Sequence, residues 1–343
     1  MGEKLTLSIL IPAYNEEKTI KKTVDSCLNQ SEKADQIIVV NDGSKDKTLK
    51  ILETYGNKIK IIDLSKNTGN KSKAQEQGLK TVKTDLFVTA DADTKLHVDF
   101  VKQIKKTFRE QPEYSAICGF VESERVNWIT SVREINYLTG QTIYKQAQAH
   151  INAVFVLAGC ASAFRTKDFR ETVTFDHDNI TEDLDFTYKL KIAGKKIFFN
   201  NRAIVYTQDP NTLNSYYRQL YRWYSGSWTC LKKNFAIMAQ PNNALILSLL
   251  YLEGLIMGMF FLLSPLFILY SLNFFLGLIL LHIVVVAASS AYGIIKFKRP
   301  ELFLYLPHQY ILGVGEQIVF IYTFFKEFVF NNKNMVWYKP ERY

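Results

Sequence analysis

Along the first 210 residues the hydrophobic positions come in short bursts, and each burst ends in polar residues. Leu7–Ala13 (LSILIPA), Gln36–Asp42 (QIIVVND), Lys58–Leu64 (KIKIIDL) and Asp85–Asp93 (DLFVTADAD) all follow this plan. Runs of this length, rich in Ile, Val and Leu, predict buried strands. The stretches between them, Glu17–Asn29, Asp46–Tyr55 and Ser72–Lys80, suit helices. Strands alternating with helices predict a parallel, doubly wound α/β sheet. Ligands of such sheets collect at the carboxyl ends of the strands, where this sequence gathers its polar residues.

Further on, VESERVNWITSVREINYLTGQTIYKQAQAH predicts one or two helices. AVFVLAGCASAFR predicts a strand followed by a small-residue loop, Gly159 to Phe164. NITEDLDFTYKLKIAG predicts a helix with Thr181 as N-cap, carboxylates in its first turn and Gly194 as its stop. KKIFFNN and AIVYTQD predict two short strands.

From Ala244 the pattern changes. Ala244–Tyr270 and Leu272–Ile295 are long apolar runs, each long enough to cross a hydrocarbon core that takes about 20 helical residues. Residues 310–325 form a shorter, more polar run. The N-terminus reads as a strand rather than a signal peptide, which predicts a cytoplasmic soluble domain. The basic KFKRP after the second run agrees with that orientation. Three full crossings would carry the basic tail 331–343 to the far side. The expected division is therefore a soluble domain over 1–210, an amphipathic interfacial helix over 211–243, a membrane region over 244–330 and a basic tail.

Composition adds constraints. The whole-chain mean hydropathy of -0.06 is an average over these two unlike parts. Lys and Arg number 42 against 33 Asp and Glu, a net charge of +9. The basic residues form no stripe of the kind that tracks nucleic acid. Anionic lipid and a phosphorylated substrate account for the charge with fewer assumptions. Cys27, Cys118, Cys160 and Cys230 have no paired spacing, which suits reduced structural cysteines. The absence of G-x-G-x-x-G and of a P-loop pattern argues against a dinucleotide dehydrogenase and a P-loop phosphotransferase.

Four stretches could carry chemistry. In VTADADT, alternation would send Asp91 and Asp93 the same way, and a hard divalent ion between them would relieve their repulsion. In VVNDGSKDKT, Asp42 ends a very apolar strand, with Ala13, Tyr14 and Glu16 beside it at the end of the first. In NTGNKSKA, Lys71 sits at a helix start suited to phosphate. In TEDLDF, one of Glu182, Asp183 and Asp185 could act as a general base. Each alone has a plain structural explanation: a turn, a cap, or acidity that complements a helix dipole.

Taken in order, Asp42, Asp91-x-Asp93, Thr181-Glu182-Asp183 and the QLYRW of residues 219–223 resemble the family 2 glycosyltransferases of GT-A fold. Within that family they resemble the membrane-embedded poly-N-acetylglucosamine, hyaluronan, chitin and cellulose synthases. GCASAFR, TEDLDFTYKL and the tail WYKPER point to the poly-N-acetylglucosamine group. The resemblance implies a mixed GT-A sheet with a Rossmann-like nucleotide-binding half, followed by interfacial and transmembrane helices. It implies that Asp42, Ala13, Tyr14 and Glu16 hold the uridine of a UDP-sugar, with Lys71, Asp91 and Arg222 on its phosphates. Asp93, helped by Asp91, would bind Mg²⁺ or Mn²⁺. Asp183 would be the catalytic base, and Gly159, Cys160, Glu182, Gln219 and Trp223 would meet the acceptor.

The face bearing Gln219, Arg222 and Trp223 is expected to look into the site of Asp93 and Asp183. Tyr216, Tyr217, Tyr221 and Trp228 are expected at the membrane interface. Expected partners are the donor, a polysaccharide or lipid acceptor, membrane lipids, and either further copies of the chain or a partner membrane subunit. Transfer of a single sugar to a membrane lipid is the alternative activity. A non-catalytic scaffold fits poorly with the retention of every acidic motif.

Overall fold

The computed structural model describes residues 5–330 and Tyr343; the tail motif at residues 337–342 lies outside them. The chain forms two compact units. One contains the described residues up to Glu122 together with Asn152–Gln208 and Tyr343, and the other contains Ser123–Ile151 together with the described residues from Asp209 to Phe330.

The elements run β1 (Leu7–Ala13), α1 (Ile20–Leu28), β2 (Gln36–Asn41), α2 (Thr48–Glu53), β3 (Lys60–Asp63), α3 (Lys71–Leu79) and β4 (Leu86–Thr89). Next come β5 (Thr94–Leu96), α4 (Phe100–Glu110), β6 (Tyr114–Ser123), α5 (Trp128–Thr139) and α6 (Gln146–His150). They are followed by β7 (Ser162–Arg165), α7 (Thr166–Thr172), α8 (Glu182–Ile192) and β8 (Lys196–Thr207). The rest is helical: α9 (Leu213–Lys233), α10 (Pro241–Leu262), α11 (Ser264–Tyr270), α12 (Leu272–Lys296) and α13 (Leu306–Thr323).

The first unit is built on one eight-stranded sheet of order β3-β2-β1-β4-β7-β6-β8-β5. β1 pairs in parallel with both β2 and β4, and β2 pairs in parallel with β3. β7 is antiparallel to β4 and β6, and β5 is antiparallel to β8, so the sheet is mixed. All seven residues of β1 are buried, as a strand covered on both faces requires, which is why its sequence is apolar at every position but Ser8. The chain winds from β1 outward to β2 and β3, then returns to add β4 on the other side of β1. That reversal opens a crevice at the carboxyl ends of β1 and β4, the place where such sheets bind ligands.

Several sequence expectations need correction. Residues 153–158 are irregular, and the strand of that region is β7, which takes up Ser162–Phe164 of the expected small-residue loop. The two short strands expected after Gly194 are one strand, β8, of 12 residues. β5 and β6 were not anticipated. The first apolar run does not continue as one helix: it breaks at Leu263, and Pro265 enters the first turn of α11.

In the second unit, α5 starts at a capping box in which the Asn127 side chain and Thr130 satisfy each other's backbone donors. A π-helical turn, Gly140–Lys145, joins α5 to α6, so the expected helical stretch is continuous from Trp128, while its first three residues, Val121–Ser123, end β6 instead. Ile129, Val132, Tyr216, Leu220 and Leu312 form a core shared by α5, α9 and α13. Tyr216 and Trp228 are 0% and 2% exposed, so they belong to this unit's interior rather than to an interfacial belt. Trp228 packs on Tyr251, Phe320, Phe324 and Phe328 with ring centroids 4.5 to 5.6 Å apart. α10 and α12 are the two helices long and apolar enough to cross a membrane, among the described residues. The residue run 310–325 falls in α13 and a following π-helical turn, which do not meet that standard.

Candidate active site

Three strand ends of the first unit and the start of α8 supply the acidic residues. At the end of β2, the Asp42 backbone N–H donates to Ala13 O (2.8 Å), locking the ends of β1 and β2 together. The Asp42 carboxylate accepts from Thr68 N (2.9 Å), Thr68 Oγ1 (2.9 Å) and Asn67 Nδ2 (3.0 Å). Three of its roughly four acceptor positions therefore hold the 66–70 loop in place. Gly43 makes this possible: its φ is +66°, and a Cβ there would lie 2.4 Å from Asn67 N. Glu16, at the start of α1, accepts from Thr19 Oγ1 (2.9 Å), and its N–H donates to Thr48 Oγ1 (2.8 Å). Tyr14 is half-buried beside it.

Asp91 and Asp93 do not lie on a strand. β4 ends at Thr89, where its pairing with β1 stops, and Thr94 N closes a turn on Asp91 O (3.0 Å). The turn, not strand alternation, brings the two carboxylates into one region. Asp93 is 8% exposed.

Lys71 is the first residue of α3, whose N-cap Asn70 accepts from Ser72 N (2.8 Å). Its ammonium bridges Asp91 Oδ1 (2.6 Å) and Glu182 Oε1 (2.7 Å), so it joins the β4 turn to the start of α8. Burial pulls the Lys71 pKa down, but the Asp91 and Glu182 carboxylates outweigh it and hold the ammonium above the ordinary lysine value. The sequence placed Lys71 on phosphate; its partners here are carboxylates.

α8 presents Glu182 and Asp183 in its first turn. Thr181 stands at the N-cap position, yet its hydroxyl donates to Asn179 Oδ1 (3.0 Å) and makes no cap bond. Asp183 Oδ2 accepts from Gly159 N (3.2 Å) and Oδ1 from Leu184 N (2.9 Å). A Cβ at Gly159 would sit 3.3 Å from Lys71 Nζ and 3.5 Å from Asp183 Oδ2, so this glycine lies where the cation and the acid converge. Burial, followed by the Glu182 charge, pushes the Asp183 carboxyl up to about 6, against the pull of Lys71. That value suits a group that must accept a proton near neutral pH. Burial, then Asp91 and Asp93, push the neighbouring Cys160 thiol far up, so it stays protonated. A small cavity lined by Gln75, Thr89, Ser162, Glu182 and Asp183 lies alongside.

The structure thus gathers Lys71, Asp91, Gly159, Cys160, Glu182 and Asp183, with Asp42 and Glu16 on neighbouring strand ends. Gln219, Arg222 and Trp223 belong to the second unit, on α9, with Gln219 buried and the other two half-buried. There Gln219 Oε1 accepts from Arg133 Nη2 (3.1 Å). Sequence reasoning missed Arg133. Its signal was a charge inside the apolar repeat Ile129, Val132, Ile135 and Leu138 of α5, a position that demands a buried partner.

Residues 8–173 match the family model described as glycosyl transferase family 2. The poly-β-1,6-N-acetyl-D-glucosamine synthase of Staphylococcus epidermidis is 27% identical over 232 residues, covering 67% of this chain and 56% of that protein. The enzyme of the same name from Staphylococcus aureus strain COL is 28% identical with the same coverage. This chain therefore matches little more than half the length of those relatives. Among solved structures, the mannosyltransferase PcManGT from Pyrobaculum calidifontis, in complex with GDP-Man and Mn²⁺, superposes with a TM-score of 0.66 at 16% identity. It covers 96% of this chain and 88% of that one. Residues 1–349 of S. aureus TarS superpose with a TM-score of 0.51 at 18% identity, covering 71% of this chain and 68% of that one. At these identities the likeness is one of fold, and the fold is GT-A. The acidic strand ends Asp42, Asp91 and Asp93 thus lie in a glycosyl transferase family 2 domain, residues 8–173 of this chain.

Proposed function

We propose that this enzyme transfers N-acetylglucosamine from a UDP-sugar to the end of a growing β-linked polysaccharide, with inversion at the anomeric carbon. The observation that carries the reading is Asp183: a carboxylate on a helix start, steadied by the Gly159 N–H, and lifted to about 6 beside Lys71. In the reaction Asp183 takes the proton of the acceptor hydroxyl as that oxygen bonds to the anomeric carbon. The bond from that carbon to the diphosphate oxygen breaks, and its electron pair leaves with UDP. A single displacement needs one catalytic carboxylate, unlike glycoside hydrolysis, which uses a pair flanking the bond.

Asp42, with Ala13, Tyr14 and Glu16, lies at the strand ends suited to the uridine. Asp42 acts chiefly by fixing the 66–70 loop and keeps about one acceptor position for a ligand. Among the described residues, no group of three or more His, Cys, Asp or Glu side chains forms a closed metal cage. Two carboxylates at an open turn are a donor set for a hard ion whose remaining ligands come from phosphate and water. Asp93, with Asp91, would hold Mg²⁺ or Mn²⁺. When bound, the ion offsets charge on the departing diphosphate. Asp91 also pairs with Lys71, which keeps that carboxylate oriented. Arg222 is assigned to the diphosphate and Gln219 and Trp223 to the acceptor sugar, on their match to the family motif.

α10 and α12 fit a chain anchored in the cell membrane with the catalytic unit on the cytoplasmic side. The test is a screen of UDP-sugars with the purified protein in detergent, with Mg²⁺ or Mn²⁺ and mass analysis of the product. Consumption of UDP-N-acetylglucosamine with release of a long β-linked polymer is expected. A product carrying one sugar on a lipid would replace the polymer reading with the lipid-acceptor one, and no turnover of any UDP-sugar would overturn both.

A further inference from the structure

We propose that Arg133 is the positioning residue for the acceptor-facing groups of α9, setting the orientation of the Gln219 amide and pinning one face of the Trp223 indole. The inference rests on the proposed function in that it takes Gln219 and Trp223 to meet the acceptor.

Arg133 projects from α5 and is 4% exposed. Its Nη2 donates to Gln219 Oε1 (3.1 Å), and its guanidinium lies 4.5 Å from the Tyr216 ring centroid and 5.0 Å from that of Trp223. Positions 216, 219 and 223 are three and four residues apart, so all three fall on one stripe of α9. One cation therefore touches three successive members of that stripe. Asp209, in the segment leading into α9, offsets the charge: its Oδ1 lies 3.6 Å from Arg133 Nε and accepts from Tyr137 Oη (3.0 Å). Tyr216, whose ring underlies the guanidinium, is itself fixed, because its hydroxyl donates to the Glu316 carboxylate of α13.

Two consequences follow from the chemistry of the guanidinium. It has donors and no acceptor, so only the oxygen of the Gln219 amide can face it. The two Nε2–H donors are thereby directed away from Arg133, in the sense needed to donate to a sugar hydroxyl. The planar cation also covers one face of the Trp223 indole. A sugar ring stacking on Trp223 would therefore use the opposite face. Lysine could supply charge but not the flat, forked contact, so the two side chains are not interchangeable here.

The test uses the full chain in detergent. Donor hydrolysis without acceptor, read as UDP release, is measured beside transfer to a soluble β-linked N-acetylglucosamine oligosaccharide. For Arg133→Met the expected result is a rise in acceptor KM of about tenfold or more, with the rate of donor hydrolysis within about twofold of wild type. Arg133→Lys should recover part of that KM. Equal losses in hydrolysis and transfer with unchanged acceptor KM would mark a merely structural role and overturn the proposal. A second readout does not depend on activity: ¹⁹F NMR of protein labelled with 5-fluorotryptophan, with the Trp223 resonance assigned from Trp223→Phe. That resonance should move in both Arg133 variants, and an unmoved resonance overturns the contact. Failure of wild type to turn over UDP-sugar would instead sink the functional reading, with the ¹⁹F result still deciding the position of Arg133.

Discussion

The two units each bury a cation, and they treat it in opposite ways. In the first unit the Lys71 ammonium stands among three carboxylates, those of Asp91, Glu182 and Asp183, and reaches two of them directly. In the second unit Arg133 meets the single near carboxylate of Asp209, an amide oxygen and aromatic faces, with the Glu316 carboxylate beyond Tyr216. Imbalance leaves a carboxyl held far from its ordinary state, as Asp183 is. Mixed contacts of the second kind leave side chains held in one geometry, as Gln219 and Trp223 are. The first arrangement suits the proton transfer proposed for Asp183, and the second suits holding a shape.

The largest expected effect would come from Asp183→Asn, which removes the proton acceptor and keeps the shape. Transfer should fall by about 10²–10⁴-fold, the usual worth of a positioned base. The same change tests the imbalance itself. Because the folded pKa of about 6 lies above the ordinary 3.8, the protonated carboxyl favours the fold. That contribution is complete below pH 3.8 and is lost as pH rises through 6. At pH 7.5 the charged form therefore costs about 2 kcal/mol, after discounting for partial exposure. Thermal melts should show the Asn variant more stable than wild type at pH 7.5, with the gain vanishing near pH 4.

Lys71→Met comes next. It strips the cation that bridges Asp91 and Glu182 and should cost about 2 kcal/mol of stability by chemical denaturation, less than for a fully enclosed pair. Since Lys71 lowers the Asp183 pKa, its loss should also move the acid limb of the rate profile upward. If the limb stayed where it was, the coupling between cation and base would be disproved. Gly43→Ala should cost about 1–2 kcal/mol, because a Cβ would strain a left-handed residue against the loop that Asp42 holds. It should raise KM for the donor more than it lowers kcat. The smallest effect is expected from Glu316→Gln in the Arg133 cluster. An amide oxygen can still accept from Tyr216, so donor hydrolysis should remain within about twofold, read by UDP release.

Much of the nucleotide-binding half was legible because parallel strands buried on both faces leave an unmistakable apolar signature. β1 matches its expected bounds, and β2 is shorter by one residue. The antiparallel half was harder to see. β5 has only three residues, and β6 carries Ser, Cys and Gly in a ten-residue strand that no simple alternation marks. Asp91 and Asp93 were recognised as a pair for a reason that did not hold, since a turn rather than a pleat unites them. Lys71 shows the limit more sharply. A loop lysine at a helix start reads as a phosphate ligand, and nothing local reveals that Glu182, 111 positions away in the sequence, will lie 2.7 Å from it. Tyr216 and Trp228 read as interfacial aromatics because composition cannot distinguish a lipid-facing ring from one packed between helices.

The central claim is that Asp183 is the base and that burial among like charges tunes it. The pH dependence of kcat/KM for transfer from UDP-N-acetylglucosamine, between pH 5 and 8, tests this most directly. The account predicts an acid limb centred near pH 6, below which the rate falls about tenfold per unit as Asp183 becomes protonated, and that limb should be absent from the residual activity of Asp183→Asn. A flat profile in wild type, or an Asp183→Asn enzyme with undiminished transfer, would contradict it.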